Sequence, residues 1–486
     1  MNTAIAIGRT VDGRDISLPL ALGNRHGLVT GATGTGKTVT LQRLAEEFSR
    51  AGVPVFAADV KGDLSGIAAK GDPQGKAASR AESLLSPWTP DSCPACFWDI
   101  FGVHGLPIRT SVHALGPELL ASMLRLNETQ YGTLAIAFRK ARDEQDFLLT
   151  LDDLRWALND MMEFREEVCK RYGNITASSI AAIQRNILAL EAQGGHHLFG
   201  EPAFNVQDFI RTEDGRGVVN LLHADDLMEA PKLYATFLLW LLTELFRALP
   251  EAGDLDKPKL VFFFDEAHLL FRDAPKPLLQ QIERLVRLVR SKGVGVFFVT
   301  QTPQDVPETV LAQLGTRIQH ALRAFTVRDQ ARVRAAADAF RPNPQVNARA
   351  AITSMAIGEA LVSVLSADGT PSPVERVMIY PPAGQIGPIS ELERKALIDQ
   401  SQLRQKYAAT KASSEANRSF IDRMRAERGL PAIAWSEEEW KPGDYAQFLP
   451  DFTPAPSVER RRGDPNAGWK AIVALAVAAV LLAVAV

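Results

Sequence analysis

The chain has little of what marks several protein classes. It holds three cysteines in 486 residues, Cys93, Cys96 and Cys169, too few for a disulfide framework and suited to a reducing cytoplasm. The net charge is −3, so no basic excess announces a nucleic-acid binder, and any such contact must come from a local basic surface. The opening Met1-Asn2-Thr3-Ala4-Ile5-Ala6-Ile7-Gly8 lacks the charged start and long apolar stretch of a signal peptide. No Asn-Lys-x-Asp sequence is present to read a guanine base, and Leu64-Ser65-Gly66 continues as Ile67-Ala68, not as an ABC-type signature. Cys93-Pro94-Ala95-Cys96 has metal-ligand spacing, but no second such pair exists and His104 and His113 stand at unusual distances for a zinc site. It reads as two small buried thiols. His196-His197, in a glycine-flanked loop, reads as structural.

What is present is an ordinary globular composition, 46% apolar and 23% charged, at a length that suits two or three domains. Near its start lies Gly31-Ala32-Thr33-Gly34-Thr35-Gly36-Lys37-Thr38. The apolar Gly27-Leu28-Val29-Thr30 precedes it as a strand; Val39, Leu41, Leu44 and Ala45 follow at helical spacing. Strand, glycine-rich turn and helix form a nest of backbone N–H groups with the positive end of the helix dipole aimed at a phosphate. In this pattern Gly31 to Val39 cradle a triphosphate, Lys37 reaches the β and γ phosphates, and the Thr38 hydroxyl ligates Mg²⁺. ATP and Mg²⁺ are thus the expected cofactors.

A second segment supports the first. Lys259 to Phe264 is an unbroken apolar run ending in Asp265-Glu266-Ala267-His268, as in a central parallel strand buried on both faces. Acids at its C-terminal end fall on the sheet edge where ligands bind. Asp265 is expected to hold Mg²⁺ and Glu266 to polarise the attacking water. A third apolar run, Gly295 to Val299, ends in Thr300-Gln301, and Gln301 is placed to sense the γ-phosphate.

Residues 1–26 alternate apolar and polar around Asp12-Gly13 and read as a hairpin. Val53 to Asp59 reads as a second parallel strand running into Val60-Lys61-Gly62-Asp63. The expected organisation is a first half of an α/β core over 1–88 and a mainly helical insertion over 89–215. The second half of the core follows over 216–385, with strands at Gly217–Leu222, Leu260–Phe264, Val294–Val299, Arg317–Phe325 and Ala360–Leu365. A charged helical extension over 386–448, a Pro-rich linker over 449–470 and an apolar tail over 471–486 complete the chain. As a helix the tail would span about 24 Å, short of the roughly 30 Å hydrocarbon core. Trp469, Lys470 and Arg460-Arg461-Arg462 beside it suit a peripheral or C-terminal membrane contact. The alternative is packing against another subunit.

These motifs together resemble the HerA/FtsK branch of additional-strand RecA-like ATPases, and within it the HerA-like proteins of the YjgR type. The resemblance rests on Gly31–Thr38, Asp59–Leu64, Phe97-Trp98-Asp99 and Leu126–Gln130. It also rests on Leu260–His268, Thr300–Pro303, Gln313–Phe325 and Ile386–Ile389, and it covers residues 1 to about 395. It implies a RecA-like P-loop core with a mostly parallel sheet. It further implies a homo-oligomeric ring, usually hexameric, whose relatives move duplex DNA. The leading expectation is therefore an ATP-hydrolysing DNA translocase or helicase-like motor. The alternatives are a protein-moving ATPase of the secretion type and a nucleotide-stabilised scaffold. Glu266 and Gln301 speak against a scaffold, which needs no water-activating carboxylate.

Two sets of arginines extend this expectation. Arg284, Arg287 and Arg290 form a basic stripe on a helix expected over 276–292, whose Leu278, Ile282, Leu285 and Val289 should face the sheet. The stripe suits phosphate contacts or a solvated face balanced by Glu283. Arg317 and Arg323, six residues apart on the expected strand, would share one face. The resemblance places them near a subunit boundary, where one of them would act on the neighbour's nucleotide; Arg317 is preferred as nearer the sensor strand.

Overall fold

The computed structural model describes residues 3–408, apart from 145, 147, 254, 273–275 and 367. In chain order the strands are β1 (Ala4–Thr10), β2 (Asp15–Pro19), β3 (Gly27–Thr30), β4 (Val55–Asp59), β5 (Ala95–Asp99), β6 (Leu106–Pro107) and β7 (Thr212–Glu213). They continue as β8 (Arg216–Gly217), β9 (Val219–His223), β10 (Leu260–Phe264), β11 (Val294–Thr300), β12 (Thr316–Gln319), β13 (Glu359–Ser363) and β14 (Glu375–Ile379). β7 and β8 form a small ribbon, and the others build one sheet in the order β2-β1-β14-β13-β12-β3-β11-β10-β4-β9-β5-β6. Neighbours from β12 to β6 run parallel, and those from β2 to β12 antiparallel. The expected α/β core with a mostly parallel sheet is present.

The sheet centre explains its own apolar runs. Every residue of β10 and β11 is buried, because both faces are covered. On one face Leu28, Phe56, Phe262, Phe264 and Phe298 join Leu238 and Leu285 of the helices Pro231–Ala248 and Lys276–Val289. On the other, Val29, Ala57, Phe263 and Phe297 meet Leu41, Leu44 and Phe48 of the helix Lys37–Arg50. Each of the Leu, Val and Phe side chains stabilises by about 1.5–3 kcal/mol relative to exposure. A slip of one residue would turn every one of them to the wrong face, so this packing fixes which residues end each strand.

The segment 89–215 contributes the helices Val112–Met123, Glu128–Glu144, Leu151–Glu163, Arg165–Tyr172 and Ala177–Glu191. It also opens with β5, whose Trp98 and Asp99 stand opposite Leu222 and His223 of β9, so its first residues belong to the sheet. The strand expected over Arg317–Phe325 stops at Gln319. Beyond it the Ala321 carbonyl accepts the Ala32 N–H at 2.9 Å, which draws the chain across the end of β3. Arg317 and Arg323 therefore share no strand face. The helix expected over 276–292 runs Lys276–Val289 and closes in a 3-10 turn, Arg290–Lys292. Ile282, Leu285 and Val289 are buried and Arg284, Arg287 and Arg290 exposed; the Leu278 side chain lies outside the described ones. Helices Glu391–Gln400 and Arg404–Tyr407 begin the charged extension. Its remainder, the linker 449–470 and the tail 471–486 lie outside the described residues. Among the described residues no helix is long and apolar enough to cross a membrane.

Candidate functional site

The phosphate loop joins β3 to the helix Lys37–Arg50, with Gly36 as the N-cap at φ 115°. Gly31, at φ 156°, has no room for a side chain: a Cβ would come 2.5 Å from Cβ of His320. His320 braces the loop from behind. Its Nδ1 lies 2.8 Å from the Glu359 carbonyl and its Nε2 2.9 Å from the Thr40 hydroxyl. Burial lowers its pKa to about 4, so the ring is neutral; Nδ1–H donates to the carbonyl and Nε2 accepts from Thr40. Gly31 N–H donates to the Gln301 carbonyl at 3.2 Å, and Gly358 N–H to the Thr35 carbonyl at 3.0 Å. Thr33 and Gly34 form an exposed tip. Lys37 is buried, and its ammonium donates to the carbonyls of Gly31 and Ala32 at 2.7 and 3.2 Å. Burial holds its pKa below the usual lysine range, opposed by Glu266.

The acids come from two adjacent strands. Phe264 of β10 stands opposite Ala58 of β4, so Asp265 and Asp59 end their strands side by side. Burial, then the charge of Asp63, pushes Asp59 up to about 7; burial, then Glu266, pushes Asp265 up to about 6. Burial also raises Asp63, against Lys61 and a hydrogen bond from Thr38. Glu266 adopts a left-handed φ of 46°, a strain of order 1–3 kcal/mol that marks functional sites. Its Oε1 accepts from Lys61 Nζ at 2.6 Å, and His268 Nδ1 lies 3.3 Å from Oε2. The last contact is off the line of a hydrogen bond. Asp59 Oδ1, Asp63 Oδ1 and Glu266 Oε2 are buried with no hydrogen-bond partner. Carboxylate oxygens left this way are costly, and oxygen ligands around a hydroxyl suit a hydrated Mg²⁺.

Of the residues expected from the sequence, Lys37, Thr38, Asp265 and Glu266 converge. Gln301 follows β11 beside the phosphate loop with its side chain exposed, while the Thr300 hydroxyl donates to Asp305 at 2.8 Å. Arg317 lies apart. It stands opposite Leu28 within β12 and donates to the carbonyls of Ala339 and Leu311 at 2.9 and 3.3 Å. Arg323 is exposed just beyond the residue that holds the Ala32 amide. Sequence reasoning overlooked Asp59, Lys61 and Asp63 as site residues, although β4 shows the pattern of β10, an apolar strand ending in an acid. It also overlooked Arg80, which donates to the Gly358 carbonyl at 2.9 Å and so supports the loop through Thr35; no local motif marks it. Cys93 and Cys96 are buried in cores on opposite faces of the sheet, which separates them as ligands. Burial pushes both thiols up to about 12.

The sequence matches the family described as helicase HerA-like C-terminal over residues 5–481. No curated protein matches it. Among solved structures, the bacterial conjugative coupling protein TrwB in an unbound form is 15% identical, with 77% of this chain and 89% of that chain covered and a TM-score of 0.52. A TrwB complex with a non-hydrolysable GTP analogue gives 15%, the same coverage and 0.53. A sulphate-containing TrwB form gives 14%, 80% and 92% coverage, and 0.53. At this identity the likeness establishes a shared fold.

Proposed function

The chain belongs to the helicase HerA-like C-terminal family and is a P-loop ATPase of the HerA/FtsK type, and we propose that it couples ATP hydrolysis to movement along duplex DNA as a hexameric ring. The observation that carries the chemistry is the convergence of Lys37 with the buried acids of β4 and β10 around the phosphate loop. On binding nucleotide, Lys37 exchanges the carbonyls of Gly31 and Ala32 for the β and γ phosphates, while the amides of Gly31 to Val39 cradle the chain of phosphates. Thr38 and Asp265, with Asp59 and Asp63 beside them, would hold Mg²⁺, which shields phosphate charge when bound. Glu266 orients the attacking water and accepts its proton; Gln301 bonds the γ-phosphate. Arg323 is exposed at this edge and would stabilise charge that develops on a neighbouring subunit's γ-phosphate.

The direct test is the ATPase rate of the full chain with and without duplex DNA, single-stranded DNA and RNA. Stimulation of several-fold or more by duplex DNA is expected. Equal rates under all conditions would remove the DNA reading and leave the ATPase.

A further inference from the structure

The geometry points to a second anion site, a cleft lined by Arg25, Arg290, Arg317 and Arg341 that binds the phosphodiester backbone of nucleic acid. This rests on the reading of the chain as a DNA motor and adds a surface to it. The cleft has a volume of about 360 Å³. Arg25 precedes β3 and Gly315 precedes β12, while Ser363 ends the antiparallel β13. All three therefore lie at the edge where the parallel strands begin, opposite the edge that carries the phosphate loop.

Among the described residues no carboxylate lines this cleft. None of its four guanidinium groups forms an ion pair among the described residues. Arg317 is partly buried and spends its donors on the neutral carbonyls of Ala339 and Leu311. Arg341 Nη1 donates to the Pro371 carbonyl at 3.1 Å. Carbonyls satisfy N–H groups without cancelling charge. Asp368, whose charge is felt at Arg341, is exposed, and its carboxylate bonds the Thr370 amide at 3.0 Å and the Thr370 hydroxyl. Like charges gathered in one concavity repel, and the natural complement is a dense anion whose oxygens match the planar guanidinium fork.

The surroundings select a polymer over a single ion. Arg284 and Arg287 are exposed on the helix that delivers Arg290 to the cleft, three residues apart at each step. At 1.5 Å rise per residue, Arg284 to Arg290 covers about 9 Å. One DNA strand carries a phosphate for roughly every 3.4 Å of axis, so the row can follow more than one phosphate. In a chain of net charge −3 this is a local concentration of positive charge, the electrostatic footprint of nucleic-acid binding.

The experiment is a titration of the full chain against a fluorescent duplex at several salt concentrations. It uses R25Q/R341Q, R290Q and, as a control on the helical insertion, R139Q. Each neutralised phosphate contact contributes about 0.9 to the slope of log affinity against log salt. The double variant should lose about two units of slope and bind at least ten-fold more weakly, and R290Q about one unit. R139Q should match wild type, and ATP affinity and DNA-free ATPase should be unchanged in all. R290Q alters an exposed side chain that makes no hydrogen bond or ion pair among the described residues, so its result stands if the double variant fails to fold. Unchanged slopes in variants of a wild type that does bind duplex would overturn the cleft and leave the motor reading intact. Loss of DNA-free ATPase with unaltered DNA affinity would overturn it in favour of a neighbouring subunit's nucleotide as the source of phosphate. A wild type that binds no duplex at all would remove both.

Discussion

Lys61 Nζ lies 2.6 Å from Oε1 of Glu266, so the carboxylate proposed to activate water is tethered by a cation from the neighbouring strand's loop. The burial of Lys61 would depress its pKa, yet the bond to Glu266 together with the charges of Glu266, Asp265 and Asp63 outweighs this and raises it. The tether holds a side chain whose backbone is in the left-handed region and which has a second, unbonded buried oxygen.

K61M should therefore lower kcat by about ten-fold or more, a fraction of what a general base contributes. ATP affinity should change little, because Lys37 and the loop amides carry binding. Steady-state kinetics beside equilibrium ATP binding separate the two effects. A kcat equal to wild type would show that Glu266 needs no positioning by Lys61.

E266Q keeps the size and hydrogen-bonding reach of Glu266 but cannot take a proton. Turnover should fall about 10²-fold or more with ATP binding retained. K37A should instead weaken binding itself, since it removes the one side-chain cation seated in the loop. Normal turnover by E266Q would end its assignment as the water-activating group.

The buried acids predict a pH dependence. Asp59 stands at about 7 and Asp265 at about 6, both above the ordinary 3.8. A raised carboxyl holds its proton in the folded chain where the unfolded chain has released it. Stability should thus fall as pH rises from about 4 to about 7, then level off. Each pKa unit is worth about 1.4 kcal/mol, so D59N should be more stable than wild type by about 1 kcal/mol or more near pH 8. It should also show a flatter melting profile. Mg·ATP affinity should run the other way, since a metal requires the ionised acids. Parallel melting curves for D59N and wild type from about pH 5 to about pH 8 would contradict the raised value.

The phosphate loop and the end of β10 were legible because each is contiguous and carries its own signature, glycines at fixed offsets in one and an apolar run closed by acids in the other. Asp59, Lys61 and Asp63 belong to the same site through the pairing of Ala58 with Phe264, and strand order is a non-local property. β5 was hidden because five residues show no period. The spacing of Arg317 and Arg323 implied a shared face only while the strand continued. A hydrogen bond between Ala321 and Ala32, some 290 residues apart in sequence, ends that continuity. The basic cleft assembles from five separated segments, so no window of sequence contains it.

The last prediction separates those two arginines. Charge that develops on the γ-phosphoryl oxygens exceeds what Lys37 offsets, and P-loop enzymes commonly add an arginine worth about 10³–10⁵ in rate where measured in GTPases. Arg317 is bonded to two carbonyls of its own chain, so R317A should cost stability, about 1–3 kcal/mol from unsatisfied acceptors. Its ATPase should fall only as far as folding does. Arg323 is exposed beside the loop edge, so R323A should fold normally, bind ATP, and lose turnover by orders of magnitude. If Arg323 serves a neighbour, inactive R323A and inactive E266Q chains should recover activity when mixed. Some interfaces would then pair an intact Glu266 with an intact Arg323. Rings of R317A mixed with E266Q should show no such gain. Recovery in the R317A mixture alone would return the role to Arg317, and no recovery in either, in rings shown to exchange subunits, would mean that no arginine of this segment acts across the interface.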